Sequence, residues 1–207
     1  MIEIALNQVG KRFNFNWIFK GVSVKISSDE PLVILGSNGS GKSTFLSILA
    51  GASIPSEGEI HWKLNNVNIE ETSIYQHVSI AAPYLELIEE FTLQEHLNFH
   101  FSVKPLLQGV TKKDLLGIVG LEKAADRRIS YFSSGMRQRL KLALAILSDT
   151  EILLLDEPLS NLDKKAATWY DDLIKQFGNN RVIVVCSNHQ YEEYAFCKQS
   201  LSIEDFR

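Results

Sequence analysis

Apolar and polar residues alternate over positions 2–9 and again over 22–27, the period of two that turns one face of a strand inward and the other to water. The pattern predicts two half-exposed strands, an antiparallel flap ahead of the remaining chain, with a polar loop carrying Arg12, Phe13, Phe15 and Trp17 between them. Positions 32–36, 78–82, 152–155 and 181–187 then abandon alternation for almost continuous apolar character. Runs of that length read as strands buried on both faces, the signature of a mostly parallel sheet sandwiched by helices. Glu59-Ile60-His61-Trp62 adds a strand after the turn Ile54-Pro55-Ser56-Glu57-Gly58, positions 63–76 read as polar and irregular, and Leu201-Ser202-Ile203 closes the sheet.

From Leu85 to Leu147 the apolar period lengthens. Leu93, Leu97 and Phe101 recur at helical spacing, as do Leu115, Leu116 and Val119, then Leu140, Ala143, Leu144 and Leu147. The chain therefore divides into an α/β core from 1–84 and 148–207, and a helical subdomain at 85–147 inserted between its halves.

Candidate chemistry starts where the first buried strand ends. Gly36-Ser37-Asn38-Gly39-Ser40-Gly41-Lys42-Ser43-Thr44 leads from that strand into a helix-forming run at 45–50. Glycines let a backbone curl until several N–H groups converge, and the following helix adds its positive end, so the segment reads as a phosphate cradle. Lys42 would reach the β- and γ-phosphates and the Ser43 hydroxyl would take a place on Mg²⁺, which makes the nucleotide a triphosphate. The run at 152–155 ends in Asp156-Glu157-Pro158. Ligands of an open parallel sheet bind at its carboxyl edge, so Asp156 is assigned to the metal and Glu157 to accepting a proton from an attacking water. Phe13 is the choice for stacking on the base, with Phe15 as its rival.

Composition narrows the classes. The chain has 207 residues, 45% hydrophobic and 22% charged, with a net charge of −4, so no general basic surface points to nucleic acid. Its two cysteines, Cys186 and Cys197, lack metal-ligand spacing and suggest a reducing compartment. The start, Met1-Ile2-Glu3-Ile4-Ala5-Leu6, alternates like a strand and has no signal-peptide pattern, and no run approaches a membrane span.

Ser133-Ser134-Gly135 stands immediately before an amphipathic helix. Two readings fit: a serine N-cap, and a second anion site at a helix N-terminus.

The order of phosphate loop, helical insertion, Phe132-Ser133-Ser134-Gly135-Met136-Arg137-Gln138-Arg139, apolar strand with Asp156-Glu157, Ser160-Asn161-Leu162-Asp163 and Ser187-Asn188-His189 resembles the nucleotide-binding subunit of ATP-binding cassette (ABC) transporters. The resemblance runs from Phe13 to His189. It implies a P-loop NTPase core of the ABC ATPase type, with ATP and Mg²⁺ bound at a head-to-tail dimer interface, either a homodimer or a pseudo-dimer with a related cassette. It implies that Ser133 and Gly135 cover the ATP of the neighbouring copy, that Asp163 couples the two sites, that His189 contacts the γ-phosphate, that Glu157 is the general base and that Phe13 stacks on adenine. It further implies separate transmembrane permease subunits docked near Tyr84, Glu86, Glu89 and Glu90, and a place on the cytoplasmic face of the membrane. The short chain is similar to compact export subunits, including the haem-exporter type.

Two departures stand out. Phe132, Ser134 and Met136 replace three members of the usual leucine-serine-glycine-glycine-glutamine signature, and Tyr84 stands where relatives carry a glutamine. A phenol offers no paired amide donor and acceptor. Two other readings share the phosphate loop: a soluble cassette ATPase acting on ribosomes or DNA, and a small-molecule kinase. The first lacks the second cassette or coiled coil usual in such relatives, and the second has no use for a signature in trans.

Overall fold

The computed structural model describes residues 2–207; Met1, part of the alternating N-terminal run, lies outside them. Strands β1 (Ile2–Phe13) and β2 (Asn16–Ser27) pair antiparallel and are longer than the alternation predicts. Arg12, Phe13 and Trp17 consequently belong to strand ends, not to a loop, and only Asn14-Phe15 separates the paired residues Phe13 and Asn16.

The strand expected around Glu59 is β4 (Glu57–Leu64), and it joins this antiparallel sheet beside β1. Its entry is tight: Gly58 has φ +77, and a Cβ there would lie 2.2 Å from the Gln8 carbonyl oxygen. The stretch expected to be irregular holds β5 (Val67–Ile69) and a 3₁₀ turn over Glu71–Gln76. Asn65 and Asn66, at φ 51 and 66, supply the two left-handed residues of a tight hairpin between β4 and β5. The antiparallel sheet thus has the order β2-β1-β4-β5.

The second sheet is wholly parallel, in the order β6-β7-β8-β3-β9, with β3 (Leu32–Leu35), β6 (Val78–Ala81), β7 (Ile152–Asp156), β8 (Val182–Ser187) and β9 (Gln199–Ser202). Ile203, expected in the last strand, opens a 3₁₀ turn instead. Every residue of β7 and β8 is buried, and successive side chains serve different cores. Ile152, Leu154, Val182 and Val184 pack with α1 (Lys42–Leu49) and the antiparallel sheet. Leu153, Leu155, Ile183 and Val185 pack with α4 (Ser134–Ile146) and Tyr170, Leu173 and Ile174 of α5 (Lys164–Phe177). Burial on both faces is what an unalternating run demands.

The helical region is less continuous than its pattern: α2 (Leu93–Val103) and α3 (Lys112–Val119) open with capping boxes at Thr92-Glu95 and Thr111-Asp114. They form a third core around Leu93, Leu97, Leu115 and Ile129. Helix α4 serves two cores at once, giving Leu142, Ala145 and Ile146 to the sheet and Leu140, Ala143 and Leu144 to the helical core. Any shift of α4 is therefore felt on both sides.

Candidate functional site

Parallel register brings three strand ends to one edge. Leu35 pairs with Ser187, and Asp156 pairs with Cys186, so the loops after β3, β7 and β8 emerge side by side. The loop after β3 is the glycine-rich segment. Gly39 and Gly41 have φ +78 and +107, and a Cβ on Gly41 would stand 2.4 Å from Ile18 Cγ2, so the turn into α1 requires glycine.

Inside this loop the Lys42 ammonium donates to the carbonyl oxygens of Gly36 (2.8 Å) and Ser37 (3.2 Å), and lies 3.7 Å from the Glu157 carboxylate. The Ser40 hydroxyl is buried without a partner among the described residues. On the far side of α1's first turn, the Ser43 hydroxyl donates to Asp156 at 2.5 Å. Burial pushes the Asp156 carboxyl above its ordinary value, with Glu157 adding to the effect while Ser43 and Lys42 oppose it. A buried oxygen pair of hydroxyl and carboxylate beside a phosphate cradle is a donor set that suits Mg²⁺, a hard cation that keeps most of its shell for water and phosphate oxygens.

Asn38, Gly39, Gly41, Lys42, Ser43, Thr44, Asp156 and Glu157 line one cavity of about 360 Å³, and Ile18, Pro83 and Tyr84 complete it. Tyr84 is half-exposed, and its phenol is raised by burial and by Asp156. Glu157 and His189 follow adjacent strands, and both adopt left-handed φ values, 44 and 60. Residues with a Cβ hold that conformation only where the surroundings over-determine it.

Other expected residues are elsewhere. Phe13 is half-exposed at the end of β1, with the Lys11 ammonium 5.3 Å from its ring centre, and does not line the cavity, where Ile18 does. His189 is exposed beyond β8. Ser133, Gly135 and Asp163 share a separate cavity of about 690 Å³ with Met136, Arg139 and Asn161. Ser133 is the N-cap of α4, its hydroxyl accepting from Met136 N at 3.2 Å, and Asp163 caps α5 by accepting from Ala166 N at 3.0 Å. The capping half of the two readings for Ser133 is thus met within the chain. Gly135 has no such duty: a Cβ there would meet nothing nearer than Asn161 O at 3.7 Å, and its φ is not positive.

Three further contacts were not foreseen. Gln138 Nε2 donates to Pro158 O at 2.9 Å and ties α4 to the loop carrying Glu157. Glu204 accepts from both the N–H (3.0 Å) and the hydroxyl (2.5 Å) of Ser37, bracing the phosphate loop from the C-terminal turn. The carboxylate of Glu193, buried at 2% exposure, accepts from Leu159 N and from the Ser187 hydroxyl. Apart from the Ser187 bond to Glu193, each joins residues twenty or more positions apart, and none belongs to a local pattern that could mark it.

The ABC transporter family model matches residues 19–160. The linearmycin resistance ATP-binding protein LnrL of Bacillus subtilis is 28% identical over 98% of this chain, which spans 66% of that protein. The ABC transporter ATP-binding protein YybJ of the same organism, itself uncharacterized, is 29% identical over the whole chain and 94% of its own length. A bacterial ABC transporter cassette solved as a dimer superposes with a TM-score of 0.80 at 23% identity, covering 97% of this chain and 94% of its own.

Proposed function

Because the chain belongs to the ABC transporter family, we propose that it is the subunit that binds and hydrolyses ATP to drive solute movement through separate membrane-spanning subunits. The observation that carries the reading is the cavity in which Lys42, Ser43, Asp156 and Glu157 converge at the N-terminus of α1. Backbone N–H groups of residues 39–43 and the positive end of that helix suit the β- and γ-phosphates. The Lys42 ammonium, held by two carbonyl oxygens, is placed to add its charge to them.

Magnesium, when bound, would offset phosphate charge, and Ser43 and Asp156 are the residues to hold it or its waters. Glu157 lies next along the chain from Asp156 and is part-exposed to the cavity, which suits acceptance of a proton from the attacking water. His189 stands at the neighbouring strand end and would steady the transferring phosphoryl group. Phe13 would serve the base from the end of β1. Such catalysis consists of positioning and charge stabilisation.

A single copy supplies half of what this requires. Ser133, Gly135 and Asp163 face a cavity of their own, and Gly135 occupies a helix where alanine would be both accommodated and preferred. Glycine there suits the close approach of a group from outside the chain, and the phosphates held by a second copy are that group in a head-to-tail dimer. Closure with ATP and opening after hydrolysis would then be the motion delivered to the permease.

Among the described residues no helix is long and apolar enough to cross a membrane, so the reading assigns the span to partner chains and this chain to their cytoplasmic face. The partner would dock beside Tyr84, where Leu85, Leu87, Ile88 and Phe99 line a cavity of about 310 Å³ and Glu89 is paired with Arg137 at 2.9 Å. Mg²⁺-dependent release of phosphate from ATP by the purified chain, lost in Lys42→Ala, tests the reading. Turnover that survives this substitution contradicts it.

A further inference from the structure

We propose that Glu193 is a positioning residue that locks the strand end bearing Glu157 to the strand end bearing His189. The inference rests on the ATPase reading above and names a residue through which that site is held in shape.

The geometry is a bridge. One oxygen of the Glu193 carboxylate accepts from the backbone N–H of Leu159 at 3.1 Å, two residues beyond Glu157. The other accepts from the Ser187 hydroxyl at 2.5 Å, two residues before His189. Ser187 Oγ also accepts from Gln190 N at 3.1 Å, which fixes the far side of the His189 turn. Behind the carboxylate, the Tyr170 hydroxyl of α5 donates to the Glu193 carbonyl oxygen at 3.0 Å, anchoring the short 3₁₀ turn Tyr191–Glu193. A backbone bond, Glu157 N to Cys186 O at 2.9 Å, continues the pairing of β7 and β8 into the two ends.

The bridge spans two residues whose backbones need outside support. Glu157 and His189 both lie in the left-handed region. Side chains with a Cβ relax from it unless the surrounding bonds hold them. Glu193 supplies such bonds to both segments at once, from a site closed to water. Its surroundings are electrostatically adverse: burial, helped by Glu157 and Asp156 and opposed by the bonds from Ser187 and Leu159, pushes its carboxyl up to about 7. An apolar residue would fill the space without that cost, so the hydrogen bonds are what the position secures. Glutamine can reproduce both, its oxygen accepting from Leu159 and its amide donating to Ser187 Oγ. Alanine can reproduce neither.

The test is steady-state ATP turnover with Mg²⁺ for the full chain, Glu193→Ala and Glu193→Gln, with thermal unfolding of each. Loosened positioning lowers kcat without lowering ATP affinity, so Glu193→Ala is expected to lose about tenfold or more in kcat with KM within about threefold, and Glu193→Gln to stay within about threefold of the parent. Should Glu193→Ala fail to fold, Ser187→Ala removes one bond of the bridge and is expected to reduce kcat by about threefold or more at unchanged KM. Unchanged kcat in the variant that folds, or equal losses in the alanine and glutamine variants, overturns the inference while leaving the ATPase reading standing. A parent chain that binds ATP without turning it over overturns both.

Discussion

Ser43 lies in the first turn of α1 and Asp156 closes β7, and a 2.5 Å hydrogen bond joins them across 113 positions of sequence. That contact sets the phosphate loop against the acidic strand end. Asp156 is 3% exposed, so its charge is tolerable only with such partners and, in the proposed mechanism, with Mg²⁺. Asp156→Asn keeps the shape and removes the charge. It is expected to lower ATP turnover by about 10²-fold or more while Tm stays within a few degrees, since one preorganised charge contact of this kind is worth roughly that factor. Phosphate-release kinetics together with a melting curve check it; undiminished turnover would remove Asp156 from the metal site.

Gly135 separates the needs of the single chain from those of the dimer. Alanine there meets no atom closer than 3.7 Å and is a better helix former. Gly135→Ala is therefore expected to raise the stability of the isolated chain by about 0.5 kcal/mol and to weaken ATP-dependent self-association by about tenfold or more. Denaturant unfolding and sedimentation in the presence of ATP measure the two effects separately. Loss of stability without change in association would assign Gly135 to the fold alone.

Glu193 gives a pH dependence whose sign is fixed by its environment. Its carboxyl is raised to about 7 in the fold, above the ordinary glutamate value, because it is buried, with Glu157 and Asp156 adding to the effect and the bonds from Ser187 and Leu159 opposing it. Below the unfolded value both states are protonated and nothing is lost. Between that value and about 7 the folded chain keeps its proton while the unfolded chain gives its up, so stability falls as pH rises. Above it the full cost of the buried charge applies. Glu193→Gln escapes this cost, so its stability advantage is expected to grow across the window and level off at about 3 kcal/mol. Denaturant midpoints at intervals from acid to mildly alkaline pH provide the measurement; a difference independent of pH would contradict the assignment.

Glu204 braces the phosphate loop from outside the cavity, through both donors of Ser37, and its carboxyl is held below the ordinary value by them. Arg207 adds a bond to Gly39 O at 3.1 Å. Glu204→Ala is expected to weaken ATP binding by about threefold to tenfold, because the loop must then pay its ordering entropy on binding. Titration with a fluorescent ATP analogue decides; unchanged affinity would reduce the contact to a surface bond.

What the sequence made legible follows from how local each signal is. Glycine spacing, the strand before it and the helix after it fit within positions 32–50, and β3, the glycine turn and α1 follow one another in that order. Asp156-Glu157 is equally legible, because two carboxylates directly after a fully apolar run fall at the carboxyl edge of the sheet. The hairpin through Asn65-Asn66 is not legible, although both residues are suited to left-handed φ, since its second strand, β5, has only three residues. Glu193 and Glu204 escaped for a different reason. Each looks like a solvent-facing acid in sequence, and only long-range packing places one inside the protein and the other on the phosphate loop. Phe13 and His189 do not line the cavity: Phe13 ends β1 half-exposed beside Lys11, and His189 is exposed beyond β8.

The central claim is that ATP is held between two copies, gripped by the phosphate loop of one and the serine-tipped helix α4 of the other. Sedimentation velocity of Glu157→Gln with and without ATP and Mg²⁺ tests it most directly, because loss of the base leaves nucleotide in place. The account predicts a monomer alone and a dimer with ATP, reverting to monomer when Ser133→Arg is added; a species that stays monomeric under saturating ATP contradicts it.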